Sequence, residues 1–494
     1  QRLLLAADPA LDDLDGHFVA LRWDASEPAG AISAFTDALG LRTLYRAAVG
    51  STLYLATRLD TMAALTDRRA LDDAAFGAHW LLVNQLSQHA LLAGVERLGA
   101  GGTLRWKAGA LSVTDRPWSP PDSPPDPTAF EKRLTALVLP EDPPGRTLSL
   151  GLSGGLDSRL LLALRTRRRP VHVHTFGDAD HRDAAMARRL AGALSTPIDV
   201  IAPPFPDPDT CTRLLRDHMA STHAVSPASS VLGLQSFGIL HDRGRWMIDG
   251  GFGEVARQQY LNRLRLRGRD AVSRRDPDRI APFLRLHRVD VFSEELRVRL
   301  RAGVRREIDA ATQALPPALC IDDAIDLLAI RARLPNFFGY EQNRLDGHIL
   351  NYMPFAQPSL LRALFATPIE RRRHGRLFRE LIRTHQPVLA QFPLIKGAHS
   401  YPFALPPLPA YLWTEMGRWL RPETSASIRT RVLRHLETVI RERVRTQEVR
   451  EDGRYDYSAL LELIDGYYEG RHARAAELDW WLALDAWWQS LRAG

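Results

Sequence analysis

The chain has 494 residues, 45% hydrophobic and 25% charged, proportions of a globular protein too long for one ordinary core. No run of about 18 apolar residues occurs, which excludes a transmembrane helix. Two cysteines, Cys211 and Cys320, argue against a disulfide framework or a cysteine-rich metal site and fit a reducing cytoplasm; each reads as a small core residue.

The net charge of +7 comes from arginine, clustered at Arg165 with Arg167 to Arg169, at Arg263, Arg265, Arg267 and Arg269, and at Arg371 to Arg373. Such clusters either solvate a surface or attract nucleotide phosphates or an acidic peptide. No zinc-finger spacing or RNA-binding signature accompanies them, so nucleic acid is not the expected partner.

In chain order, the start has no signal-peptide shape, and with Gln1 in place of a methionine the chain is expected to lack its native beginning. Short β-like runs follow at residues 17–23, 43–48 and 52–56, and residues 101–106 with 110–114 read as a hairpin. Residues 118–127 (WSPPDSPPDP) form a proline-rich linker that can continue neither helix nor central strand. The expected domains are therefore 1–117 and 128–494. Strand and helix patterns alternate from the linker to about residue 250, as a parallel α/β sheet requires, and amphipathic helix dominates from Pro282 onward. Near the end, Trp480, Trp481, Trp487 and Trp488 fall on one helical face, the pattern of burial.

Residues 148–158 read LSLGLSGGLDS. Leu148, Leu150 and Leu152 predict a buried strand; Ser-Gly-Gly then turns the chain into a helix over 159–164. Adjacent glycines let backbone approach an anion, and amides at a helix N-terminus supply partial positive charge. Ser153 and Ser158 add hydroxyls, and Asp157 is a carboxylate placed where magnesium would meet phosphates. The Walker spacing is absent. This loop resembles the pyrophosphate-binding loop of ATP pyrophosphatases, which cleave ATP between the α and β phosphates and make an adenylate.

A second resemblance precedes it. The stretches GHFVALRWD (16–24), DALGLRTLY (37–45), LYLATRLDTMAAL (53–65) and GVERLGAGGTLRW (94–106) are similar, in order, to the later half of the glutaminase domain of glutamine-dependent asparagine synthetases. Together the two identify the chain as a member of the asparagine synthetase and β-lactam synthetase superfamily. The implied fold is α/β: a degenerate, β-rich glutaminase-like remnant of the Ntn αββα type, then an adenine-nucleotide α-hydrolase-like parallel-sheet synthetase domain with a helical C-terminal part. No cysteine stands where the family's glutaminase nucleophile would, so ammonia release from glutamine is not expected.

The resemblance implies a site. ATP would meet Leu152, Ser153, Gly154, Gly155, Asp157 and Ser158, with adenine recognised along the next strand at Thr175 and Phe176, and with Gly250 across the loop. His172 and His174 on that strand read as packed residues, and Asp183 matches a family acid of less definite role. Residues 248–260 (IDGGFGEVARQQY) correspond to the family's second acidic loop, which makes Glu254 the partner of Asp157 on Mg2+, with Asp249 as the alternative ligand. Lys396, in FPLIKGAHSYP (392–402), would neutralise the departing pyrophosphate and the charge at the adenylated carbonyl, with Asp157 and Glu254 completing the catalytic set. His399 is a candidate acid/base neighbour, and Arg376 to Arg379 belong to the same motif.

Departures from the pattern fall on the acceptor side. Gly251 stands where asparagine synthetases have a glutamate and β-lactam synthetases a tyrosine, and Leu350 and Tyr352 replace a Glu and an Arg of the motif around Pro354 and Phe355. The reaction implied is ATP-dependent carbon–nitrogen ligation with release of AMP and pyrophosphate. The favoured form is that of lasso-peptide macrolactam cyclases, which join an Asp or Glu side chain of a precursor peptide to its own N-terminal amine. Those enzymes generally work beside a leader-peptide protease and a leader-binding partner. The alternatives are asparagine synthetase and, in another class, a non-catalytic nucleotide-binding scaffold.

Overall fold

The computed structural model describes residues 14–26, 30–120, 126–178, 181–396, 399–405, 409 and 428–492. Two antiparallel sheets come first. Strands β1 (Val19–Asp24), β2 (Ala31–Thr36), β6 (Thr103–Lys107) and β7 (Ala110–Thr114) pair in the order β1-β2-β6-β7, and β3 (Tyr45–Val49), β4 (Thr52–Ala56) and β5 (Glu96–Arg97) in the order β4-β3-β5. Ala34, Leu44, Leu98 and Leu104 are buried together between them. The β6–β7 hairpin turns through Ala108 and Gly109, at φ 48° and 81°, the two positive values that suit right-twisted strands. Strand β2 was not among the expected runs.

The third sheet is wholly parallel. Strands β8 (Thr147–Gly151), β9 (His172–Phe176), β10 (Ile198–Ile201), β11 (Arg245–Ile248) and β12 (Asn351–Tyr352) lie in the order β10-β9-β8-β11-β12. Leu148 and Leu150 of β8 share one face of the sheet and are buried in the same core as the helix Leu156–Thr166 that follows it. From β8 the chain moves outward to β9 and β10, then returns to β11 on the opposite flank. The order thus reverses at β8, and a crevice opens at the carboxyl end of such a strand. The Ser-Gly-Gly turn sits at that end.

The N-terminal region does not bury its apolar surface alone. Phe76 and Trp80, on the helix Asp73–Leu81, share a core with Phe292, Trp481, Trp487 and Trp488. Glycines permit the close crossing: a Cβ at Gly77 would overlap Leu300 carbonyl oxygen, and one at Gly303 would overlap Ala74. The tryptophans expected to be buried are so, with Trp480 partly covered beneath Arg288.

In two of the arginine clusters some members are tied to acids within the fold, while Arg263, Arg267, Arg269 and Arg373 remain exposed. Arg265 and Arg269 pair with Asp322 at 3.0 and 2.6 Å, Arg265 also with Asp326 at 2.5 Å, Arg372 with Asp323, and Arg373 with Asp322 at 2.9 Å. The acids lie on one helix, Ile321–Arg333. Cys320 also departs from expectation: it is exposed, with its thiol 3.3 Å from an Asp323 oxygen. Cys211 is buried, and burial pushes its thiol up to about 11, which suits a core residue and not a nucleophile.

Among the described residues, no helix is long and apolar enough to cross a membrane.

Candidate active site

The turn after β8 is built around its own side chains. Leu152 N–H donates to His174 carbonyl at 2.8 Å, which continues the strand pairing to the edge of the turn. Ser153 N–H donates to Ser158 Oγ at 3.1 Å, Gly155 N–H to Ser153 Oγ at 3.2 Å, and Gly154 N–H to Asp183 Oδ1 at 3.0 Å. Asp183 thus acts as a pin for the turn. The helix Leu156–Thr166 has Gly155 at its N-cap and no side-chain cap, which leaves its first-turn amides without intrahelical acceptors and available to an anion.

Arg159, fully buried, ties this turn to the segment Leu389–Pro393. Its guanidinium donates to the carbonyls of Gly154 (3.2 Å), Leu389 (3.0 Å), Phe392 (2.8 Å) and Pro393 (2.8 Å). Ile395 N–H donates to Gly154 carbonyl at 3.1 Å, and a Cβ on Gly154 would overlap Ile395 Cγ1. The small hairpin of β13 (Leu394–Lys396) and β14 (His399–Tyr401) is therefore seated on the turn, and glycine is required for it. Lys396 ends β13 and pairs in register with His399; the side chains of both lie outside the described residues.

Asp157 is the electrostatic centre. Its Oδ2 accepts from Arg257 at 2.7 Å, while its Oδ1 is buried and has no hydrogen-bond partner. Burial raises the carboxyl to about 6, Glu254 adds to the rise, and Arg257 opposes it. Two glycines make room for it. A Cβ at Gly253 would come within 2.6 Å of Oδ1, and one at Gly250 within 3.0 Å of the Asp157 Cβ. The backbone of this second loop is strained to achieve the approach: Phe252 is buried with φ 71°.

Asp249 and Glu254 can now be compared as partners. Both Asp249 oxygens already accept hydrogen bonds, from Gly251 N–H at 2.7 Å and from Asn351 at 2.6 Å, so its carboxylate is committed to holding the loop. Glu254, on the short helix Gly253–Ala256, projects its charge onto Asp157, Arg257 and Arg333 but does not line the crevice. Among the described residues, no group of three or more His, Cys, Asp or Glu could hold a metal ion. Magnesium keeps several waters and binds through one or two carboxylates plus substrate phosphates. The open oxygen of Asp157 fits that demand, with Glu254 as the nearby second charge.

The crevice has a volume of about 400 Å³. Of the expected nucleotide residues, Ser153, Asp157, Ser158, Phe176 and Gly250 line it, whereas Leu152, Gly154, Gly155 and Thr175 do not. Phe176 packs edge-on against Phe237, with ring centroids 5.2 Å apart. The opposite wall was not foreseen. Glu341 and Arg344 form an ion pair one helical turn apart on the helix Gly339–Asp346, beside Phe337, Phe338 and Met353. Burial raises the Glu341 carboxyl, against the pull of Arg344 and Arg333. The position of Gly251 is also explained: a Cβ there would lie 2.8 Å from Met353 Cε and 3.1 Å from Phe338 Cε1, so apolar side chains fill the space a larger residue would need.

A larger cavity of about 810 Å³ adjoins this one, with Arg344 in the wall of both. It is enclosed by His17, Phe18, Arg42 and Thr43 from the N-terminal region and by His218, His223 and Asn343 from the helical part. His223 and Ala224, at φ 54° and 51°, form a strained helix end on its wall. No family model and no curated protein matches this chain.

Proposed function

We propose that the protein is an ATP-dependent amide-forming ligase that adenylates a carboxylate and joins it to an amine, acting as a macrolactam cyclase of the lasso-peptide type. The observation that carries this reading is the unpartnered Oδ1 of Asp157, buried in a glycine-lined crevice where strand order reverses. A buried carboxylate oxygen without a donor is costly, and a cation–phosphate ligand is what would relieve it.

In this reading the magnesium supplies charge neutralisation for the phosphates. The uncapped helix amides and the Ser153 and Ser158 hydroxyls orient the triphosphate of the ATP substrate. Asp157 would hold the magnesium through its open oxygen, and Arg257 fixes the carboxylate from the other side. The substrate carboxylate bonds to the α-phosphorus as the α–β bridge breaks, and pyrophosphate leaves with the electron pair. Lys396 is assigned to that departing charge by its place in the motif. The amine then bonds to the acyl carbon, AMP leaves, and the amine proton passes to a base. Glu341, a carboxylate made more basic by burial, is assigned as that base, and Arg344 orients it.

The acceptor wall carries Phe337, Phe338, Leu345 and Met353 beside Glu341, Gln342 and Arg344, a mixed lining that suits a peptide segment better than free aspartate and ammonia. The adjoining cavity, sharing Arg344, gives a polypeptide room on the same side. The test is product analysis with a precursor peptide encoded by a neighbouring reading frame. AMP, pyrophosphate and a peptide lighter by one water are expected. AMP formed only with aspartate and ammonium would replace this reading with asparagine synthesis, and ATP binding without AMP from either would replace it with a scaffold.

A further inference from the structure

The proposed reaction gives no task to His174, which is buried without solvent exposure in the wall of the crevice, between Gly151 and Phe176. Its Nδ1 lies 2.8 Å from Ser149 Oγ, whereas its Nε2 is buried and has no partner. Ser149 Oγ is also 3.3 Å from Nδ1 of His172, whose Nε2 lies 3.4 Å from a carboxylate oxygen of Asp199.

This chain of groups selects a tautomer. A carboxylate opposite Nε2 of His172 holds the ring proton there, which leaves His172 Nδ1 as an acceptor. Ser149 has one hydroxyl proton, and giving it to His172 satisfies that nitrogen. The serine oxygen is then free to accept from His174 Nδ1–H. Burial, reinforced by His172, lowers the His174 imidazole to about 3, so the ring stays neutral. What remains on the crevice side is a bare lone pair at Nε2. The reverse order would leave His172 Nδ1 without a donor.

We infer that His174 determines specificity in the crevice: its Nε2 accepts a hydrogen bond from a donor of the bound nucleotide, either the 6-amino group of adenine or a ribose hydroxyl. The inference rests on the nucleotide reading above and adds to it a requirement for a donor at this point. A ligand presenting an acceptor there would face a lone pair and leave a buried group unpaired, the kind of mismatch a polar site rejects strongly.

The experiment is calorimetric titration of the full chain with Mg-ATP, Mg-ITP, Mg-2′-deoxy-ATP and Mg-3′-deoxy-ATP. Weakening of about tenfold is expected for ITP if the base supplies the donor, or for one deoxynucleotide if the ribose does. His174→Phe is expected to bring ATP down to the level of the disfavoured analogue. Ser149→Ala, which keeps the imidazole and releases its tautomer, narrows the gap. Equal binding of all four by the unaltered protein, or unchanged discrimination in either variant, overturns the inference while leaving the nucleotide reading intact. Failure of the unaltered protein to bind any of the four refutes the nucleotide reading and this inference with it.

Discussion

Asp326 and Asp157 are both withdrawn from water, and burial raises each carboxyl to about 6, yet the two sites diverge at the second oxygen. Asp326 has Arg265 at 2.5 Å from Oδ1, with Gln258 at 3.4 Å and Arg372 at 3.5 Å from Oδ2. Asp157 has Arg257 on one oxygen and nothing on the other. The first has a partner at each carboxylate oxygen and ties the helix Ile321–Arg333 to the arginines around it. The second retains an unmet demand inside a crevice, which folding alone does not explain. The difference separates charge used for architecture from charge held ready for a ligand.

The largest test of that contrast is Asp326→Ala, which leaves Arg372 buried and short of a counter-charge. A loss of about 3–5 kcal/mol in urea unfolding is expected, as for breaking one side of a buried pair. A loss below about 1 kcal/mol would mean the arginine network is not structural. Asp157→Asn is expected to act with the opposite sign. Because the folded carboxyl is raised above its unfolded value, ionising it opposes folding. Its stability contribution is fully present below the unfolded pKa and is lost as pH rises through about 6. The ligand-free variant should therefore gain on the order of 1–3 kcal/mol near pH 7.5 and almost nothing near pH 4, read by thermal unfolding at both.

Gly154→Ala drives a methyl into Ile395, and about 1–3 kcal/mol of stability should go with it. The pair Gly154→Ala with Ile395→Gly should recover much of that loss, since both atoms the new methyl meets, Ile395 Cγ1 and Cβ, are then gone. Additive losses would show that the hairpin is not seated on the turn. The smallest effect is graded. Metal binding needs the ionised form of Asp157, so Mg-ATP affinity should fall below pH 6 by up to about tenfold per pH unit. A flat profile in calorimetry would remove Asp157 from the metal.

What was legible in the sequence was local. The leucine run, the paired glycines and Asp157 stand within eleven consecutive residues, and the strand, turn and helix fall where that pattern predicts. Strand β2 escaped because AISAFT lacks a clean alternation of apolar and polar residues. Arg257, Glu341 and Arg344 escaped because tertiary folding brings Arg257 to Asp157 from 100 residues away and sets Glu341 and Arg344 in the wall of the same crevice, and nothing in their spacing announces it. The arginine clusters misled for the same reason. Arg265 and Arg269 find their acids more than 50 residues downstream, so part of a run that reads as a solvated face is drawn into an ion-pair network, while Arg263 and Arg267 stay exposed. Burial decides His174 as well: alternation placed it on one face of a strand, but the free nitrogen emerges only from its contacts with Ser149.

The central claim is that the open oxygen of Asp157 holds a metal–nucleotide complex. Calorimetric titration with ATP, with magnesium present or chelated, tests it most directly in the unaltered protein and in Asp157→Asn. Saturable binding that requires both magnesium and the carboxylate is the predicted result. Equal affinity in the two proteins, or binding indifferent to magnesium, would contradict it.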